Sequence, residues 1–180
     1  ESKVAYLVPS ILAPDGNPAG VQGLSDLDRG GVEVGIGNPR AVCVGLYAVE
    51  VLEKNGALGD VRERIDVQAR SCSATASLVA MDKVDAILGW RVFGEWQPKK
   101  IDIVPLEPDN IPRLAYIPAA VSSYSENPEL AGRFIEFLNS PQGRDIFAKW
   151  GYIASEEKAR EYAPGAEIGG TYDLPASFTR

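Results

Sequence analysis

The chain has 180 residues, a net charge of −7, 45% apolar and 24% charged residues, and no histidine. That length buries a sizeable core, as one domain or two small ones. The negative total argues against nucleic acid, whose phosphate backbone calls for a basic patch. Without histidine, Ser-His-Asp and Cys-His catalysis, ordinary zinc sites and the usual general base near neutral pH all fall away. No apolar run approaches the ~20 residues of a membrane-spanning helix. Cys43 and Cys72 are too few for a disulfide scaffold; one bridge or two thiols both fit, so they leave the compartment open.

In chain order, Val4, Tyr6 and Val8 alternate with Ala5 and Leu7 as a strand ending at Pro9 or Pro14, apolar enough to be covered on both sides. A turn-rich connector runs from 13 to 20. Val32, Val34 and Ile36 form the next strand, broken by Gly37-Asn38-Pro39. From Val44 the apolar spacing turns helical through Leu46, Tyr47, Val49, Val51 and Leu52, with Glu50, Glu53 and Lys54 on the polar side and Asn55-Gly56 as the stop. A short helix over 58–64 precedes a strand at Ile65, Val67 and Ala69. Ser71-Cys72-Ser73 leads into a helix over 74–83 with Ala74, Leu78 and Met81 on one face, and 85–90 is a further strand. Strands alternating with helices predict βαβ units and a mainly parallel sheet, an α/β fold.

The Pro-rich stretch 96–112 predicts an extended crossing segment, and 114–121 the last strand. Asn127-Pro128-Glu129 starts a helix whose apolar face is Leu130, Phe134, Phe137 and Leu138. Ser140-Pro141 repeats the device before Ile146, Phe147 and Trp150, and Gly151 stops that helix. Trp96 and Trp150 read as packing residues. Pro164, Gly165, Gly169-Gly170 and Pro175 predict an irregular tail.

Two strand-to-helix junctions share one construction. Both place unpaired helix N–H groups beyond the carboxyl end of a strand, a natural seat for an anion. Both also carry a cysteine at or next to the helix start, where a thiolate is stabilised. A bridge, a soft-ion pair and two buried structural thiols are all open on this pattern.

Leu24-Ser-Asp-Leu27, Gly37-Asn-Pro39 with Gly45-Leu-Tyr-Ala48, Asp85-Ala-Ile-Leu-Gly-Trp90 and the closing run from Asn127 to Tyr152 carry a family resemblance. In order and spacing they resemble the molybdate- and tungstate-type periplasmic binding proteins of ABC importers, over residues 4 to about 153. The resemblance implies a periplasmic-binding-protein-like fold of two lobes with the first incomplete: 1–12 a crossing strand, 13–100 the second lobe, 101–153 the return and the C-terminal helices of the first lobe, and 154–180 an irregular tail. It implies capture of a small tetrahedral oxyanion by neutral donors, without catalysis, cofactor or metal. An ABC permease is the implied partner. The location is periplasmic or extracellular, with the membrane reached through the transporter or a lipid anchor.

On that pattern the contact at the central helix start falls on the Val44 amide, with Cys43 and Gly45 alongside. The next falls on the Cys72 amide with Ser73 adjacent, and the family's tyrosine donor falls on Trp90. The sequence departs from the family in three respects: the N-terminal block carrying two hydroxyl contacts is absent, which suggests a fragment or a reduced member; Cys43 and Val44 replace Pro and Ala; and Trp90 replaces tyrosine. Two other readings remain: a thiol-based redox or metal-handling protein using Cys43 and Cys72, or the ligand-sensing domain of a regulator.

Overall fold

A computed structural model describes residues 1–179. Two sheets share the chain. The N-terminal stretch forms two strands in different sheets, β1 (Ser2–Leu7) and β2 (Pro9–Pro14), divided at Val8. A 3-10 turn (Leu24–Asp28) leads to β3 (Val34–Gly37), α1 (Cys43–Lys54), α2 (Leu58–Arg62), β4 (Ile65–Ala69), α3 (Cys72–Ala80), β5 (Ala86–Trp90), α4 (Val92–Trp96) and β6 (Ile101–Val104). Strand β7 (Arg113–Ala119) follows, then α5 (Pro128–Asn139), α6 (Pro141–Lys149), α7 (Glu156–Tyr162), the two-residue β8 (Glu167–Ile168) and α8 (Ala176–Thr179).

The larger sheet has the order β4-β3-β5-β2-β6. Strands β4, β3 and β5 are mutually parallel, while β2 runs antiparallel to both β5 and β6. The mainly parallel sheet is therefore present, with one opposed strand where the chain crosses in. The smaller sheet, β1-β7-β8, pairs the crossing strand β1 antiparallel with the returning β7.

Helices cover the larger sheet on both faces, as alternation with strands requires. Val34, Ile36, Leu88 and Ile11 pack with Val49, Val51 and Leu52 of α1, and this core continues to Tyr6 and Leu114 of the smaller sheet. On the other face Leu12 and Ile87 pack with Ala76 and Val79 of α3 and with Phe93 of α4. Strand β2 is buried along its whole length, whereas β1, the stretch expected to be covered on both sides, is buried only at Val4, Ala5 and Tyr6.

Several expectations need correction. Helix α3 begins at Cys72, two residues before the predicted start, and buries Thr75, Ala76, Val79 and Ala80 while Met81 is 61% exposed. The tail is not irregular. Ser155 caps α7 by accepting from the Lys158 amide, Glu156 and Glu157 suit the first turn, and Ala159, Ala163, Ala166 and Phe178 enter the main core. The stretch 96–112 closes α4 and supplies β6, so it is only partly an open crossing. On α5 the predicted apolar face is formed but uncovered: Leu130, Phe134 and Phe137 are exposed, as are Ile146 and Trp150 of α6 and its cap, so Trp150 is no packing residue among the described residues.

Glu50 also departs from its predicted polar side. It is 2% exposed and accepts from Arg113 Nε with both carboxylate oxygens, at 3.0 and 2.9 Å. Arg113 also donates through Nη1 to the Gly169 carbonyl and lies 3.2 Å from Glu167. Its guanidinium pKa is raised, chiefly by the bond to Glu50. Removing one partner strands the other charge in the core, which costs about 3–5 kcal/mol. Urea unfolding of Glu50→Ala is expected to show a loss of that order; a loss below about 1 kcal/mol, the surface-pair range, would show that the pair is not functionally buried.

Candidate functional site

The parallel register Gly37↔Ala69 brings the ends of β3 and β4 side by side, and the Asn38 amide donates to the Ala69 carbonyl at 2.6 Å. Asn38 builds the turn that follows. Its carbonyl accepts from the Ala41 and Val42 amides, both at 2.9 Å, and its side-chain oxygen accepts from Arg40 at 2.9 Å. Helix α1 then starts at Cys43 with no side-chain cap from Val42. Gly45 lies against β3 so closely that a Cβ there would overlap the Gly37 carbonyl. Its amide is already committed to the Val42 carbonyl at 3.1 Å. Of the three residues predicted here, Cys43 and Val44 therefore present their amides, while Gly45 serves by close approach.

The tip of α3 is built differently. Ser71 caps it, its Oγ accepting from the Ala74 amide at 3.1 Å and lying 3.2 Å from Ser73 Oγ. The amides of Cys72 and Ser73, which precede the capped position, have no partner one helical turn back.

The structure brings Val44, Cys72 and Trp90 into one cluster, with Cys43 next to Val44 in the chain. Hydrogen bonding to Cys72, helped by the Val44 and Cys43 amides, draws the Cys43 pKa down to about 6 against the opposition of burial. The same shared proton and burial push Cys72 up. Trp90 is 2% exposed and its Nε1 is buried without a hydrogen-bond partner. Tyr47 stands edge-on to Trp90 with ring centroids 4.9 Å apart, and burial foremost pushes its phenol up to about 12. The sequence marks Tyr47 only as an apolar position of the helix; its proximity to Trp90 depends on the turn of α1 relative to β5, which spacing alone does not give. A cavity of about 270 Å3 beside Asn38 and Arg40 contains none of the predicted residues.

This arrangement offers thiol sulfur, amide N–H groups and one indole N–H, without a general base of histidine type. Because its pKa is lowered, Cys43 is mostly thiolate by about pH 7, where an ordinary thiol of pKa ~8.5 is mostly protonated. Peptide mapping after brief iodoacetamide treatment at that pH is expected to find Cys43 modified well ahead of Cys72; equal labelling would contradict the shared proton. Gly45→Ala forces α1 away from β3 and is expected to cost about 1–3 kcal/mol in urea unfolding, and an unchanged midpoint would show that the close approach is dispensable.

Residues 1–153 match the family model described as bacterial extracellular solute-binding protein. A binding protein of Haemophilus influenzae is 24% identical over 150 residues, 83% of this chain and 60% of that protein. The molybdate-binding protein ModA of Escherichia coli is 27% identical over 124 residues, 68% of this chain and 46% of that protein. The chain thus spans about half to three fifths of the length of these relatives. Among solved structures, the sulfate-binding protein SubI of Mycobacterium tuberculosis H37Rv superposes with a TM-score of 0.72 at 17% identity, covering 93% of this chain and 65% of that one. A periplasmic thiamin binding protein superposes with a TM-score of 0.67 at 18% identity, covering 99% and 56%. These proteins are binders, not enzymes, and the two superposed structures share the fold described above. With 153 of its residues matched, the chain belongs to the bacterial extracellular solute-binding protein family.

Proposed function

We propose that the protein is the ligand-capturing component of an ABC importer, working outside the cytoplasm, and that the tips of α1 and α3 hold a small tetrahedral oxyanion of the molybdate or tungstate kind. The observation that carries this reading is the pairing of two helix starts beyond adjacent parallel strands, with the amides of Cys43, Val44, Cys72 and Ser73 at their tips. Such tips attract anions through unpaired N–H groups and the helix dipole. The unpartnered Trp90 Nε1 supplies a further neutral donor at the place where an acceptor is owed. The molybdate and sulfate binders among the similar proteins favour an oxyanion, while the thiamin binder shows that the fold accepts other guests.

In this reading 13–100 is one lobe, 1–12 and 101–153 belong to the other, and closure of the two presents the loaded form to the permease. The membrane is reached through that permease or a lipid anchor. The uncovered apolar face of α5 and α6 supports a first lobe whose packing is completed by chain beyond these residues.

Isothermal calorimetry of the full-length protein with sodium molybdate, tungstate and sulfate tests the proposal. Binding of at least one is expected, and Trp90→Phe, which keeps the ring and deletes the donor, is expected to weaken it about 10- to 100-fold, the worth of a hydrogen bond to a charged group at ~1.5–3 kcal/mol. No heat with any oxyanion overturns the ligand class, and full affinity in Trp90→Phe removes Trp90 from the site.

A further inference from the structure

Residues 155–179 lie beyond the stretch matched by the family model, and they touch both sheets of the molecule. Helix α7 meets β1, and β8 pairs parallel with β7, the Glu167 amide donating to the Pro112 carbonyl at 3.0 Å and the Gly169 amide to the Leu114 carbonyl at 2.9 Å. As far as Gly169 the tail therefore belongs to the smaller sheet. Gly169 and Gly170 then turn it through positive φ, 68° and 87°, toward the helices of the larger sheet. There Tyr172 Oη donates to Glu53 in the last turn of α1 at 2.8 Å. Phe178, 8% exposed, enters the core that holds Leu52 and Val61, with the Arg62 guanidinium of α2 5.6 Å from its ring centroid. Tyr162 of α7 makes another link, accepting from Nε of Arg91, the residue after β5, at 3.3 Å.

Two stretches of chain already cross between the sheets, at Val8 and over 105–112. They run side by side, since β1 pairs with β7 and β2 with β6. Adjacent crossings of a few residues form a hinge. The tail is a third connection, and its attachments at Glu53 and Arg62 are on helices, away from the strands that cross. It also braces the buried ion pair between the two units, because the Gly169 carbonyl and Glu167 hold the far side of Arg113 while Glu50 holds the near one. Swinging the sheets apart must draw Tyr172 off Glu53 or pull Phe178 out of the core, exposing apolar surface.

We propose that residues 155–179 are a strap that holds the larger-sheet unit at a set angle to the smaller-sheet unit and limits how far the two open. This rests on the two-lobe part of the reading above and not on which ligand is bound. A strap of this kind raises the fraction of unliganded molecules already close to the binding-competent angle, and apparent affinity rises with that fraction.

The test uses the full-length protein with nitroxide labels at positions 81 and 136, attached through a ketone-bearing residue so that Cys43 and Cys72 stay untouched. Met81 caps α3 and is 61% exposed, and Glu136 is exposed on α5, which meets β1, so their separation by pulsed electron resonance reads the angle between the units. Tyr172→Phe/Phe178→Ala removes the attachments to α1 and α2 and leaves β8 on β7. Tyr172→Phe alone deletes one hydrogen bond and carries the test if the double variant does not fold. Without ligand the parent is expected to give one narrow distribution. The variants are expected to populate separations longer by more than about 2 Å, the scale of hinge movement, with faster amide exchange over 171–178. Unchanged separations in a variant whose tail exchanges faster overturn the strap. Unchanged exchange overturns it too, since Tyr172 and Phe178 then do not anchor the tail. Sodium molybdate, tungstate and sulfate judge lobe closure separately: a shortened separation on adding any of them keeps the two-lobe reading even where the strap falls, whereas separations that neither the variants nor any anion alters overturn both.

Discussion

Helix α1 is held in the molecule by a charge that water cannot reach. Glu50 and Arg113 lie 63 residues apart in sequence and meet in the interior, where neither tolerates solitude. Because Glu50 sits in the middle of α1 and Arg113 at the start of β7, the pair joins the helix of the larger sheet to the smaller sheet. Arg113 extends the joint to the tail through the Gly169 carbonyl and Glu167. Further down α1, Asn55 Nδ2 donates to the Asn110 carbonyl at 2.9 Å and Glu53 accepts from Tyr172 at 2.8 Å. The far end of the helix is thereby fixed to the return segment and the tail, while its first turn carries the proposed site. Any shift of β7 against the larger sheet must be transmitted along α1 or must break a buried ion pair.

The near end is fixed by the absence of side chains. At Gly37 and Gly45 the backbone of strand and helix touch, a distance that no Cβ allows. Gly35 does the same for α3, where an added Cβ would lie 2.7 Å from Leu78 Cδ1. Both helices thus begin close to the ends of their strands, on opposite faces of the sheet, and their tips converge over β3 and β4. The two tips differ in one respect, their caps. Ser71 satisfies α3 with a neutral hydroxyl, whereas α1, entered through Val42, has no side-chain cap.

Much of this was legible in the sequence. The alternation of Val34 and Ile36, the helical spacing from Val44 to Leu52, and the strands at 65–69 and 85–90 fixed the βαβ core, because local pattern and tertiary burial agree there. The two tips could be read from Gly37-Asn-Pro39 and Ser71 through turn and cap chemistry. What escaped depended on distant partners. Glu50 has the spacing of a solvent-facing position, and only Arg113 makes its burial tolerable. The tail was read from its glycines and prolines, whereas Ser155 followed by Glu156 and Glu157 was the outweighed signal of a capped helix. Leu130, Phe134 and Phe137 gave the right helix and the wrong burial, since periodicity reports which side is apolar and not whether anything covers it. The isolation of Trp90 Nε1 is a property of its surroundings and has no sequence signature at all.

The energetics of the proposed site bear on what it discriminates. Two helix ends at about 0.3–1 kcal/mol each supply at most about 2 kcal/mol, roughly thirtyfold, whereas micromolar capture requires about 8.2 kcal/mol. With a net charge of −7 the protein's long-range field does not favour an anion either. The balance must come from short hydrogen bonds to the charged guest, each worth about 1.5–3 kcal/mol and each steeply dependent on distance and angle. Such donors read the radius and shape of the guest more than its charge. If the site takes an oxyanion as proposed, the amides of the two tips and the Trp90 indole act as a gauge of size, and their spacing, set by glycine contacts at one end of α1 and by the Glu50–Arg113 pair along it, determines which oxyanion fits.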